Sequence, residues 1–349
     1  MIEITEEWIK AAATGGCILG GGGGGELQQG IEFAQLAISF GDPSVCSLED
    51  LPPDCLLATV SAVGAPAAEN KYVLPSHYVR ALETLQDNIE GQIEGIITNE
   101  MGGFATVNGT LQSAVLDLPL VTAAGNGRAH PTGPMGSMGL VKQDDYRAAE
   151  AAAGGKGSHY LETFAAGHIN RTSKITRKAA EEAGGLVAVA RNPVSAEYVR
   201  KNGAIGATQE ALNLGRAFLR GDKPGEKVDN VVDYLNGQLI VEGKVTSYRL
   251  VSQGGFDTGQ IEVGECTLDF WNEYMTLERE DERLATFPDL IMTFDSVSGD
   301  PLTSADIAEN QEVTVISAPA DQLTLGAGMF DQDLLAEIEE VLNKPIINP

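Results

Sequence analysis

Over the first 124 residues, short apolar runs alternate with longer stretches in which apolar side chains recur every three or four positions. That alternation predicts strands followed by helices, the pattern of an α/β domain on a largely parallel sheet. Strands are expected at 17–19, 55–63, 94–98 and 118–123, and helices with one apolar face at 27–40, 77–92 and 106–116. A glycine-containing segment follows each strand, at 20–25, 64–71, 99–104 and 125–139. In an open parallel sheet such loops leave the carboxyl ends of the strands, where ligand crevices form. From 144 to 221 the chain reads mainly as helices, through YRAAEAAA, HYLETFAAGHINRTSKITRKAAEEA and ATQEALNLGRAFLRG, with one strand at LVAVA. After GDKPGEK, β-branched and aromatic runs separated by turn residues predict a β-rich unit from about 235 to 318, closed by a helix at 331–342. The expected organisation is an α/β domain over 1–225 and a smaller β-rich domain over 226–349.

Charge narrows the partners. Fifty Asp and Glu against 23 Lys and Arg leave a net charge of −27, a sign that repels nucleic-acid phosphates and anionic lipid surfaces. Such acidity serves either solubility or a salty cytoplasm. The N-terminal MIEITEEWIK has neither the positive segment nor the long apolar core of an export signal, and glycines or charges interrupt every apolar run. Cys17, Cys46, Cys55 and Cys266 show no CxxC spacing and read as reduced thiols. A cytoplasmic protein without nucleic-acid or membrane partners is expected.

The candidate chemistry lies in the loops. Six consecutive glycines at 20–25 place backbone N–H groups just ahead of a predicted helix, an arrangement that can hold an anion or a carbonyl oxygen. The alternative is a flexible turn. The run contains a degenerate GxGxxG but has no Lys-Ser/Thr and no ribose-binding acid after a second strand, so a nucleotide is not the expected ligand. In NEMGGF, Glu100 stands at a strand's carboxyl end as a base or ligand, unless it or Asn99 caps the next helix. GNGRAHPTGPMGSMG brings Asn126, Arg128 and His130 together among chain breakers, where Arg128 can clamp a carboxylate and His130 can move protons, or the loop can serve as a lid. With four histidines and no HxxxH or HExxH, a divalent metal would need a site assembled across the fold. Arg171, Lys174, Arg177 and Lys178 form a basic helical stripe, read as a solvated face or an anion guide. Cys17 is either a nucleophile activated by a helix terminus or a small core residue.

Taken in order, ILGGGGGGELQQG, VGAPAAENK, NEMGGF, LPLVTAAGNGRAHP, GGFDTGQ, CTLDFWNEYM and FPDLI resemble the S-methyl-thiohydantoin desulfurase family, also described as hydantoinase/oxoprolinase-associated, over nearly the whole chain. The resemblance implies a three-layer N-terminal α/β domain and a smaller β-rich C-terminal domain. It points to Gly21, Gly22, Gly23, Gly24, Gly64, Pro66, Lys71, Glu100, Gly102, Gly103, Gly127 and Arg128, and later to Asp257, Asn272, Glu273 and Asp289. The sequence departs from the family pattern where Thr122, Ala124 and Thr132 replace three carboxylates, beside which His130 is available as a substitute. The resemblance implies an enzyme that hydrolyses a small cyclic amide or thioamide of hydantoin or thiohydantoin type. Glu100, His130 and Arg128 are its expected catalytic residues, and Asn99 and Asn126 join the expected binding set. The alternatives are a non-catalytic accessory subunit of a hydantoinase/oxoprolinase-type partner and, from the glycine run alone, a nicotinamide-dependent oxidoreductase. A homo-oligomer is the expected assembly.

Overall fold

The computed structural model describes residues 1–64, 68–280 and 282–347. The chain forms two domains, an α/β domain on a mixed sheet and a β-rich domain on an antiparallel sheet. Across the first sheet the strands run Ile2–Glu3, Ser44–Cys46, Leu120–Ala124, Ile93–Thr98, Leu56–Gly64, Leu186–Ser195, Ala148–Gly154 and Leu161–Gly167, with Ala204–Ile205 also paired to Leu120–Ala124. The strands from Ser44–Cys46 to Leu56–Gly64 are parallel, and antiparallel partners complete both margins. Helices Leu27–Ile38, Pro75–Asp87 and Thr110–Leu116 bury Phe33, Leu82 and Leu111 on one face of this sheet. Ile169 and Val199, from helices Ile169–Glu182 and Ala196–Asn202, pack on the other, giving three layers.

Two expected elements change type. Residues 17–19 do not form a strand but close the helix Glu6–Leu19, whose first turn Thr5 caps by accepting from Trp8 N–H at 3.2 Å. A short apolar run fits a buried helix as well as a strand, and Cys17, Ile18 and Leu19 are all buried. The glycine run therefore connects two helices, so the strand-to-helix setting that a dinucleotide fingerprint requires is absent there. AAEAAAG is likewise no helix. Alanine favours helices intrinsically, but Ala148–Gly154 lies between two strands, with Ala149, Ala151 and Ala153 facing one core and Ala148 and Ala152 facing others. Tertiary packing overrides propensity, and the small side chains let helices approach both faces. LETFAAG, expected within a helix, is the edge strand Leu161–Gly167.

The second sheet runs Glu282–Thr286, Glu273–Arg279, Cys266–Trp271, Phe256–Val263, Gln238–Gln253, Glu312–Ala318, Leu290–Asp295 and Pro301–Leu302, antiparallel throughout. Its 16-residue strand Gln238–Gln253 pairs with Glu312–Ala318 through its first half and with Phe256–Val263 through its second, joining the two halves of the sheet. The closing helix Gln332–Leu342 packs Leu334 and Ile338 against Trp271 and Phe287. Ile18 and Leu19 share a core with Leu290, Met292 and Phe294, so the first helix reaches across to the second sheet.

That helix crosses Ala207–Leu219 through two glycines. A Cβ on Gly15 would stand 1.8 Å from the Ala211 carbonyl oxygen, and one on Gly215 1.8 Å from that of Ala11. The Gly15→Ala variant should lose about 1–3 kcal/mol, the usual cost of overpacking, read as a lower denaturant midpoint at unchanged slope. An unchanged midpoint would show that the crossing has slack.

Candidate functional site

The carboxyl ends of the parallel strands and one margin of the second sheet enclose a crevice of about 210 Å³. Gly22 to Gly25 form one wall, residues 61–64, Asn99 and Glu100 another, and Asp257, Asn272, Glu273 and residues 303–306 close it from the second sheet. Lys71, His130, Arg177 and Arg191 also line it.

The glycine run acts as the seam between the sheets. Gly21 and Gly22 accept from the N–H groups of Tyr274 and Ser304, each at 2.8 Å, while Gly24 accepts from Phe104 and Ala105 at 3.1 and 2.9 Å. Gly22 and Gly24 hold φ of 94° and 77°, which side chains rarely adopt. A Cβ on Gly23 would lie 2.1 Å from Glu273 Oε1, and one on Gly24 2.4 Å from the Cα of Gly102. Absence of side chains is what lets the Glu273 carboxyl rest against this wall. Gly102 and Gly103 sit behind it and allow the 99–104 loop to pack onto the run.

Glu100 stands next to His130, Oε2 to Nε2 at 3.2 Å, with 17% of the Glu100 side chain exposed and 1% of the His130 side chain. Asn99 Nδ2 lies 3.1 Å from His130 Nε2 and donates to Glu100 Oε2 at 3.3 Å, while the backbone N–H of His130 donates to the same oxygen at 3.4 Å. His130 Nδ1 lies 3.0 Å from the Thr132 carbonyl oxygen, which only accepts, so Nδ1 carries the ring proton and Nε2 faces the crevice side as a lone pair. Burial, assisted by the charge of Arg191, pushes His130 down to about 3 and keeps it neutral. Burial raises Glu100 to about 7 against the opposing pull of the His130 N–H, Arg191 and Asn99. Glu273, 3% exposed, is raised well above the carboxylate range by burial and then by Glu100, only partly offset by Arg128 and Arg177. Its Oε2 has no hydrogen-bond partner among the described residues. Near neutral pH Glu100 thus sits at about its midpoint, while Glu273 is displaced in the same direction by its deeper burial and by Glu100.

The other expected residues divide. Asp257 and Asn272 line the crevice, but Asn272 spends its Oδ1 on the Asp257 N–H at 2.9 Å, and Ser252 donates to the Asp257 carboxylate. Lys71 lines it too, whereas Pro66 lies outside the described residues. Arg128, Asn126 and Asp289 are placed elsewhere. The buried Arg128 guanidinium donates to the carbonyls of Pro288 at 3.1 Å, Asp289 and Tyr274 at 3.3 Å, and lies 4.6 Å from the Phe287 ring. It is committed to backbone and does not line the crevice, in contrast to the substrate clamp expected from sequence. Asn126 bridges Met135 O and Gly326 N–H, and Asp289 accepts from Ala320 and Thr286. Cys17 is a buried thiol pushed up to about 12 by burial, the core alternative. Among the described residues no three His, Cys, Asp or Glu side chains come together as metal ligands, so the donor set does not fit such a site. Nor is any described helix long and apolar enough to cross a membrane.

Besides Lys71, which was expected, two cations that line the crevice went unrecognised as site residues. Arg177, in the basic stripe, turns inward: it donates to Gly255 O at 2.7 Å and lies 3.8 Å from the Phe256 ring, while Arg171, Lys174 and Lys178 are exposed. Burial lowers it to about 10, so it remains a cation at neutral pH. Arg191 is buried opposite Glu150. The available signal was a single arginine after the apolar LVAVA and a single acid inside AAEAAAG, because a charge inside a buried strand needs a partner.

Family models describing S-Me-THD-like N-terminal and C-terminal domains match residues 7–161 and 168–327. The chain belongs to this family, that of the S-methyl-thiohydantoin desulfurases, which associates it with thiohydantoins. It is similar in fold to a protein of known crystal structure from Chromobacterium violaceum, with a TM-score of 0.74 and 23% identity over 98% of this chain and 97% of that one. No curated protein shows significant similarity to it.

Removing the Arg128 guanidinium would strip three buried carbonyls of their donor, at roughly 1–3 kcal/mol for each buried group left unsatisfied. Arg128→Ala should therefore lower the denaturant midpoint sharply. A midpoint equal to wild type, together with lost ligand affinity, would return Arg128 to the binding site.

Proposed function

We propose that the crevice hydrolyses a small five-membered cyclic amide or thioamide of hydantoin or thiohydantoin type. The observation that carries this is the pair of buried carboxyls with unequal proton affinity, Glu100 and Glu273, lining one small cavity. Such a pair supplies a base and an acid at the same pH. Family membership and the flat, side-chain-free glycine wall support a planar ring as the occupant.

In the reaction, water adds to a ring carbon while the Glu100 carboxylate takes one of its protons. The new carbon–oxygen bond gives a tetrahedral adduct, whose heteroatom charge the protonated Glu273 and the Arg177 cation stabilise. For an S-methyl-thiohydantoin the adduct collapses by breaking the carbon–sulfur bond. As that bond breaks, the adduct's hydroxyl proton passes to the ring nitrogen and leaves a ring carbonyl, while methanethiolate takes the proton that Glu100 received, so one water is consumed, one thiol is released and both carboxyls regain their starting states. His130 stays neutral behind Glu100, its Nε2 lone pair ready to accept a hydrogen bond from the Glu100 acid form.

Turnover of hydantoins and S-methyl-thiohydantoins, followed by thiol release and ring absorbance, tests the reading. Glu100→Gln is expected to cut kcat by about a hundredfold or more while the protein stays folded. Because Glu100 works deprotonated, wild-type rate should rise as pH increases through about 7 and fall at more alkaline pH as Glu273 ionises, giving a bell whose limbs belong to the coupled pair. Binding without turnover in the wild type would sink the hydrolytic reading and favour the accessory-subunit alternative.

A further inference from the structure

We infer that Glu150, Arg191 and Asn99 form a buried positioning relay that fixes which way the Asn99 amide points, and through it which nitrogen of His130 carries the ring proton. The inference rests on the Glu100 site proposed above for its catalytic meaning, but its geometry stands alone. Glu150 and Arg191 face each other across neighbouring antiparallel strands and are 1% and 2% exposed. Across that separation the Glu150 charge opposes the loss of charge that burial would otherwise impose on Arg191. Helix Ile169–Glu182 satisfies the acid: Thr172 and Ser173 hydroxyls donate to Glu150 Oε1 at 2.7 and 3.0 Å, and Thr176 donates to Oε2 at 2.9 Å. Arg191 Nε has no partner among the described residues, whereas Nη2 donates to Asn99 Oδ1 at 2.8 Å.

The consequence is directional. A guanidinium has only donors, so the amide oxygen of Asn99 must face Arg191 and its NH₂ must face the site. Gly136 leaves the room this needs, since a Cβ there would lie 2.2 Å from Asn99 Oδ1. Two N–H bonds then point at His130 Nε2, 3.1 Å away, and Glu100 Oε2, 3.3 Å away. A donor against Nε2 disfavours a proton on it, as does Glu100 in its acid form, whose O–H can donate to the same nitrogen across 3.2 Å, in agreement with the contact between Nδ1 and Thr132 O at 3.0 Å. With the amide reversed, an oxygen would face both Nε2 and the Glu100 carboxylate, pulling a proton onto the ring and repelling the base. Glu150, 191 and 99 are therefore positioning residues, acting through Glu100 and His130.

The test is ¹⁵N NMR of the histidines in the full-length protein, with His130→Gln identifying the signal of His130 among four. In wild type His130 should be the neutral Nδ1–H tautomer at pH 5–6, where Glu100 is the acid and can donate to Nε2. Arg191→Met, which keeps the bulk and removes the donors, should give mixed tautomers. It should also move the acidic limb of the pH profile upward by about one unit or more, since a cation that favours ionised Glu100 is lost. The other charges lining the crevice, Glu26, Lys71, Arg177, Asp257, Glu273 and Asp306, and the nearby Arg128, remain in that variant. Asn99→Asp, nearly isosteric, presents an oxygen to Nε2 and should move the ring proton there even if Arg191→Met folds poorly. A wild-type tautomer in both variants would overturn the relay. The tautomer needs no substrate to be read, so failure of the relay and failure of the proposed reaction remain distinguishable.

Discussion

The structure depends on a backbone wedged between two sheets with no room for side chains. Helix Glu6–Leu19 ends where the two sheets meet, and the glycines after it give their carbonyls to N–H groups of both domains. A carbonyl at such a seam must find a donor, because burial without one costs about 1–3 kcal/mol. Meeting that requirement draws Tyr274, Ser304 and Phe104 to the same few residues, and the crevice is the space left between them. Glu273 reaches the crevice only because Gly23 has no Cβ.

The chemistry of the crevice follows from burial acting unequally on like groups. Glu100 retains partial exposure, a backbone donor and the nearby charge of Arg191, so its proton affinity rises only moderately. Glu273 is more deeply buried, keeps one oxygen without a partner and feels Glu100, so it rises further. His130 moves the opposite way, as a cation must when it is removed from water beside another cation. One desolvated environment thus raises two carboxyls unequally and lowers an imidazole.

Much of this was legible in the sequence, and the parts that were not share a cause. The strand ends carrying Asn99 and Glu100, the loop holding His130 and the β-rich second domain follow from periodicity and turn residues. Residues 17–19 and 148–154 misled because a short apolar run and an alanine run take their type from what surrounds them. Arg128 misled for a related reason: an arginine in a glycine-rich loop reads as a ligand clamp, but the carbonyls it holds, at 274, 288 and 289, come from far along the chain. Arg177 was visible as a charge, yet its inward turn depends on Phe256 and Gly255 of the second sheet. Local sequence encodes local conformation, whereas a side chain's employment is decided by distant partners.

The seam also sets the order in which the protein becomes itself during synthesis. The glycine run leaves the ribosome well before its partners at Tyr274 and Ser304, which follow about 250 to 280 residues later, a sequence separation that makes closure of this contact entropically slow. Until then the run is tied only to its own domain, through Gly24 to Phe104 and Ala105, and one wall of the crevice does not exist. The two domains are therefore separable in description but not in time: the N-terminal one waits, with its site open, for the strands that complete it.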